Sequence, residues 1–64
     1  MVVYSMIINN NNEMQYCRVN YYREALNIIK NITSKTNKNI KILVKKLTYK
    51  DGCLIDTIIK KDIK

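Results

Sequence analysis

Histidine, proline, phenylalanine and tryptophan are all missing from this 64-residue sequence, and glycine occurs once, at position 52. Each absence removes a class of chemistry or structure. Without His the chain lacks the commonest general base and metal ligand near neutral pH. A single Gly cannot supply the phosphate-cradling loops of the G-x-G-x-x-G or Walker type. With no Phe or Trp, the core has to be assembled from Ile, Leu, Val, Met and Tyr. Cysteine is scarce as well: Cys17 and Cys53 lie far apart and form neither a disulfide framework nor a C-x-x-C pair. Long hydrophobic runs are absent too. The apolar stretch 1–8 is too short to cross a bilayer, and it lacks the basic n-region and small-residue cleavage site of a signal peptide. The expectation is a cytoplasmic protein with reduced thiols and no membrane partner. Asn31-Ile32-Thr33 matches a glycosylation sequon, which carries nothing without secretion.

Acidic residues are the other shortage. Five Asp and Glu stand against twelve Lys and Arg, for a formal charge of +7. Asn, Ile, Lys and Tyr together fill 35 of the 64 positions, all with AT-rich codons, and ten of the twelve basic residues are Lys. Codon bias therefore accounts for part of the charge. A basic surface that is functional would attract phosphate and speed association at low salt. Hydrophobic residues make up 47% of the chain, with many Ile and Val, which predicts a folded protein rather than a disordered one. One domain, 1–64, is expected, because a chain this short cannot be divided into two pieces that each bury a core.

The hydrophobic periodicity predicts a ββαββ chain. Residues 2–19 read as a hairpin turning at Asn10-Asn11 within a run of four Asn, a residue that tolerates positive φ. The period changes over 20–36. Tyr21, Ala25, Ile28 and Ile32 make an apolar stripe, flanked by Tyr22, Leu26 and Ile29, which is an amphipathic helix. Asn20 suits its N-cap, Glu24 its positive end, and Lys30, Lys35 and Lys38 its negative end. Polar residues 34–39 end the helix. Residues 40–61 read as a second hairpin around Asp51-Gly52, with the tail from Asp62 onward expected to fray. The fold class is α+β: two antiparallel hairpins forming one sheet, with the helix packed on one face.

Turn positions fix which side chains share a face, since cross-strand partners do. An Asp51-Gly52 turn sets Tyr49 against Leu54, Leu47 against Asp56, Lys45 against Ile58 and Val44 against Ile59. The more continuous face, centred on Tyr4, Met6, Ile42, Val44 and Ile59, is expected under the helix. A single helix covers only one face. The other then exposes Tyr16, Leu43, Leu47, Tyr49, Leu54 and Ile58, together with Ile7, and apolar surface of this kind marks interaction sites. These six residues are the expected protein interface, for a target protein or for a second copy in a homodimer.

Catalytic constellations are missing. Ser5 and Ser34 have no partner base, and Glu13, Glu24, Asp51, Asp56 and Asp62 form no spaced pair or metal cluster. Cys17 reads as a small buried thiol and Cys53 as an exposed one. The chain is therefore expected to be no enzyme and to need no cofactor or metal. Two functional readings remain. In size, charge and lack of chemistry the chain resembles accessory products of phages and mobile elements, many of which inhibit a host enzyme by stoichiometric binding, anti-CRISPR and other anti-defence proteins among them. No motif carries that likeness. A small ribbon-helix-helix regulator would need one strand and two helices, which this pattern does not offer. The alternative is nucleic-acid binding by the second hairpin, through Lys41, Lys45, Lys46, Lys50, Lys60 and Lys61 with Tyr49 as a stacking ring. Against it, specific base readout leans on Arg, and this hairpin has none.

Overall fold

The computed structural model describes residues 1–35 and 40–63. Four strands and one helix follow in the order β1 (Val2–Asn10), β2 (Glu13–Val19), α1 (Tyr22–Lys35), β3 (Ile40–Lys50) and β4 (Cys53–Ile63). All neighbouring strands are antiparallel, in the order β2-β1-β3-β4, so the two hairpins join through their first strands. This is the expected α+β architecture, with the helix on one sheet face. Thr36 and Lys38, expected at the helix end, and the last residue of the tail lie outside the described residues.

Both hairpins close through two residues with φ above zero, the backbone that matches the twist of the strands they join. In the second, Asp51 (φ 53) and Gly52 (φ 80) hold the expected positions. In the first, the turn residues are Asn11 (φ 51) and Asn12 (φ 69), one position later than expected. Asn10 extends β1 instead and pairs with Glu13. Tyr4 then faces Val19 rather than Cys17. Moving the turn by one residue slides the strands by two, so every side chain keeps its face.

The second hairpin departs further. Its register shifts twice, between Val44 and Lys45 and between Thr48 and Tyr49. Tyr49 faces Leu54 as expected, but Leu47 faces Thr57, Lys46 faces Ile58, Lys45 faces Ile59 and Val44 faces Lys61. Each bulge inserts one residue in β4 and so exchanges its faces. Ile58 thereby moves to the helix side, and Ile59 moves to the opposite side. The end of the chain does not fray at Asp62, which pairs with Leu43, while Ile63 pairs with Ile42 and completes the strand.

The helix begins one residue later than an Asn20 cap would place it. The Tyr21 carbonyl accepts from the N–H groups of Glu24 (3.1 Å) and Ala25 (3.4 Å), and Glu24 Oε1 accepts from the Tyr21 N–H at 3.2 Å. That return bond is half of a capping box, and it puts an acid beside the positive helix end. Ala25 and Ile29 are buried, with Tyr22, Ile28 and Ile32 packed beside them. Tyr21, expected on the stripe, and Leu26, expected to flank it, are exposed.

The core lies between α1 and the middle of the sheet: Met6, Ile8, Ile40, Ile42 and Val44 under Ala25 and Ile29. Full burial of Met6, Ile42 and Val44 contributes about 1.5–3 kcal/mol each. Cys17 sits half-buried at the margin, its Sγ donating to Met6 Sδ at 3.7 Å. Ile59, expected in this core, is 60% exposed. Dimensions explain the limits of the cover. A helix of 14 residues is about 21 Å long, whereas a strand of 11 residues spans about 36 Å. The helix backbone lies over β1, β2 and β3. No residue of β4 is fully buried. The radius of gyration, 12.4 Å, exceeds the roughly 10.7 Å of a compact chain this long, because the second hairpin overhangs.

Candidate protein interface

The sheet face away from α1 carries no covering element among the described residues. Alternation and register assign its side chains. β1 contributes Val3, Ser5, Ile7 and Asn9, and β3 contributes Lys41, Leu43, Lys45, Leu47 and Tyr49. β2 adds Met14, Tyr16 and Arg18, and β4 adds Leu54, Thr57, Ile59 and Asp62. The central strands supply an apolar middle, Val3, Ile7, Leu43 and Leu47, flanked on both sides by longer side chains.

Val3 and Ser5 are buried although no helix covers them, at 6% and 5% exposed. Neighbouring side chains close over them. Arg18 pairs with Ser5 across β2 and β1, and Tyr16 pairs with Ile7. Arg18 Nε donates to Tyr16 Oη at 3.1 Å, and its guanidinium carbon stands 6.0 Å from the centre of that ring. Hydrogen bonding to Ser5, and then to Arg18, holds the Tyr16 phenol below its usual range. Tyr16, and more weakly Tyr49, raise Arg18 above its own usual value. These contacts tie the rings and the guanidinium into one network over Ser5. Tyr and Arg with few rotamers left to lose are the side chains that dominate binding energy at protein interfaces.

A groove runs along one end of this face, lined by Met1, Val3, Arg18, Tyr49 and Lys50. Met1 extends the ladder there: its amine donates to the Tyr49 carbonyl at 3.0 Å and its carbonyl accepts from the Tyr49 N–H at 2.7 Å. A second hollow at the far end is lined by Ile7, Met14, Leu43 and Asp62.

Of the residues expected at the interface, Leu43, Leu47 and Tyr49 are half-buried on this face, and Tyr16 and Leu54 are 58% and 51% exposed on it. Ile58 is on the other side, opposite Lys46, and Ile59 occupies the corresponding position here, opposite Lys45. Arg18 and Ser5 share a face with Tyr16 by simple alternation, so spacing alone could have joined them to it. The six lysines of the second hairpin do not gather. Lys41 and Lys45 belong to the open face, Lys50 stands at the turn, and Lys46 and Lys61 belong to the helix side. Lys60 turns toward the helix, its Nζ 5.5 Å from the centre of the Tyr22 ring. Tyr49 is thus separated from three of the lysines expected to accompany it.

Among the described residues, no three His, Cys, Asp or Glu side chains group closely enough to hold a metal ion. No described helix is long and apolar enough to cross a membrane. Fold and face together define a small α+β protein with one sheet face covered and one open. No protein-family model, no curated protein and no solved structure matches the chain. The functional reading therefore rests on the residues themselves.

Proposed function

We propose that this protein is a non-enzymatic binding module that docks its open sheet face on an acidic surface of a partner protein and blocks that partner stoichiometrically. Such a partner would be a host protein that handles nucleic acid or takes part in defence, as for the anti-defence products of phages and mobile elements. The observation that carries the reading is the network of Tyr16, Arg18 and Ser5 beside an apolar strip of Val3, Ile7, Leu43 and Leu47. An apolar middle with a polar, aromatic margin is the composition of a protein interface. Arg18, Lys41 and Lys45 outnumber Asp62 on this face, and Lys50 offsets Asp51 in its groove, so an acidic surface complements it better than a second copy would. Self-association is the second reading, and a different feature favours it. β4 is the edge strand of the sheet, eleven residues long and all but the last of them exposed. Two bulges and Lys60-Lys61 interrupt it, both of which discourage edge-to-edge pairing.

Photo-crosslinking in a bacterial cytosol tests the proposal, with the reactive residue at Leu47 on the open face or at Tyr21 on the helix. The expected result is one discrete heterologous adduct from position 47 that is absent from position 21 and abolished by Arg18→Glu in a chain still folded by circular dichroism. Adducts that are the same from both positions overturn it. So does a self-adduct alone from position 47, matched by a salt-resistant dimer in light scattering that Leu47→Glu converts to a folded monomer; that outcome gives the face to a second copy.

A further inference from the structure

On the helix side, where the overhanging second hairpin passes the start of α1, a cleft is lined by Tyr4, Tyr21, Tyr22 and Lys46. The Tyr4 and Tyr22 rings are 5.6 Å apart, tilted at 37°. Tyr21 is 60% exposed at the rim, with the Arg23 guanidinium carbon over one face of its ring at 5.3 Å from the centre, so only the other ring face is open to a base. Lys46 pairs with Tyr4 on one side and with Ile58 on the other, and its side chain lines the cleft with the rings. Lys61 stands one row further along, opposite Val44, and Lys60 reaches over the Tyr22 ring at 5.5 Å.

The bulge between Val44 and Lys45 explains how two consecutive lysines, neither of them in the cleft lining itself, come to border it from the helix side. In a regular strand Lys60 and Lys61 would point to opposite faces. The inserted residue breaks the alternation, and bulges are a recurrent means of re-aiming a side chain. No acid is among the residues lining the cleft, and two border it: Glu24, whose carboxylate accepts from the Tyr21 N–H, and Asp56, which pairs with Thr48 one row from Lys46.

The geometry points to a binding site for single-stranded nucleic acid in this cleft, with Lys46, Lys60 and Lys61 along the phosphates and a base stacked on the exposed Tyr21 ring. Aromatic faces beside a cationic track fit this ligand because every base has a π-face and every linkage a negative charge. A protein partner with acidic side chains would use the charge but leave the rings without flat partners. The site differs from the Tyr49 ribbon expected from the sequence, and it lies on the opposite side of the sheet from the candidate protein interface.

The test is fluorescence anisotropy with a labelled oligothymidylate of about ten nucleotides, a length within single-module site sizes, at about 50 mM salt and above. Three phosphate contacts predict a slope of log affinity on log salt near −2. Lys46→Glu/Lys60→Glu should weaken binding at least about tenfold, while Lys41→Glu/Lys45→Glu, the same charge change on the open face, weakens it no more than about threefold. Tyr21→Ala, an exposed position, should cost about fivefold or more through lost stacking. Circular dichroism verifies that each variant is folded. Three results each overturn the site: no binding by the parent, equal losses from the two lysine pairs, or competition by inorganic polyphosphate or polyglutamate as strong as by unlabelled oligonucleotide. Failure here leaves the crosslinking result at Leu47 untouched, since Leu47 and Arg18 lie on the opposite sheet face from Lys46, even though Met1 borders both surfaces.

Discussion

The two hairpins begin from the same local device and end in different states. Each turns through two residues with φ above zero, Asn11-Asn12 in one and Asp51-Gly52 in the other. The first runs in unbroken register beneath the helix, with Met6 and Ile8 in the core. The second breaks register twice and leaves all but the last residue of its outer strand exposed. The difference is one of cover. Where a helix buries one face, a one-residue slip would move the whole apolar set into water, so register is held. Where no helix lies above, a slip costs little, and bulges can be accommodated and used. In β4, Ile58 and Ile59 exchange roles with little change in burial, at 45% and 60% exposed.

The sharpest way to break this comparison is to truncate one isoleucine under the helix and one beyond its reach. Ile42→Ala, at a fully buried position of β3, should cost about 2–5 kcal/mol, enough to unfold a domain this small. Ile59→Ala, on the exposed outer strand, should stay within about 0.5 kcal/mol. Urea unfolding midpoints decide it, and similar losses at the two sites would mean that β4 is buried against something in solution.

Next in size are the turns. Forcing Ala into left-handed backbone costs roughly 1–2 kcal/mol per residue. Asn11-Asn12→Ala-Ala should lower the melting temperature of the whole chain, because β1 cannot move without the core. Asp51-Gly52→Ala-Ala should instead appear mainly as faster amide exchange in β4, with a smaller fall in melting temperature, since that edge opens locally. Equal falls would make the second hairpin as integral as the first.

The smallest effect concerns Tyr16. Ser5 and Arg18 hold its phenol below 10.0, so it is ionised in the folded chain at pH values where the unfolded chain is still protonated. Stability therefore gains slightly as pH rises from the folded pKa toward 10.0, and the gain is lost as pH falls through the folded value. An ultraviolet titration should show a tyrosine transition below 10.0 that Tyr16→Phe removes and that Ser5→Ala moves upward. A titration that Tyr16→Phe and Ser5→Ala leave unchanged below 10.0 would remove the network from the open face.

Much of this was legible in the residues. The helix stripe through Ala25, Ile28 and Ile32, the two turn signals and the alternation in β1 and β3 are local patterns, and local patterns survive into the fold. The misplaced turn at Asn10-Asn11 did no harm to the faces, because the error slid the strands by two. The candidate interface was readable to the same depth: Tyr16, Leu43, Leu47, Tyr49 and Leu54 follow from alternation, whereas Ile58 does not. Four Asn in a row also give no local signal for which two of them turn.

The sequence alone determined the number and kind of elements, the strands' inner and outer faces wherever alternation is unbroken, and the lack of histidine and of any glycine-rich loop. All of these are set by side chains within a few positions of one another. Only the tertiary structure decided that β1 and β3 pair at the centre, that β4 bulges at Lys60, and that Lys46 and Lys60 meet Tyr4 and Tyr22. Those outcomes depend on how far a 14-residue helix reaches across a longer sheet. Residues beneath it are held in register by burial, and residues beyond it are free to shift, a distinction that no short stretch of sequence encodes.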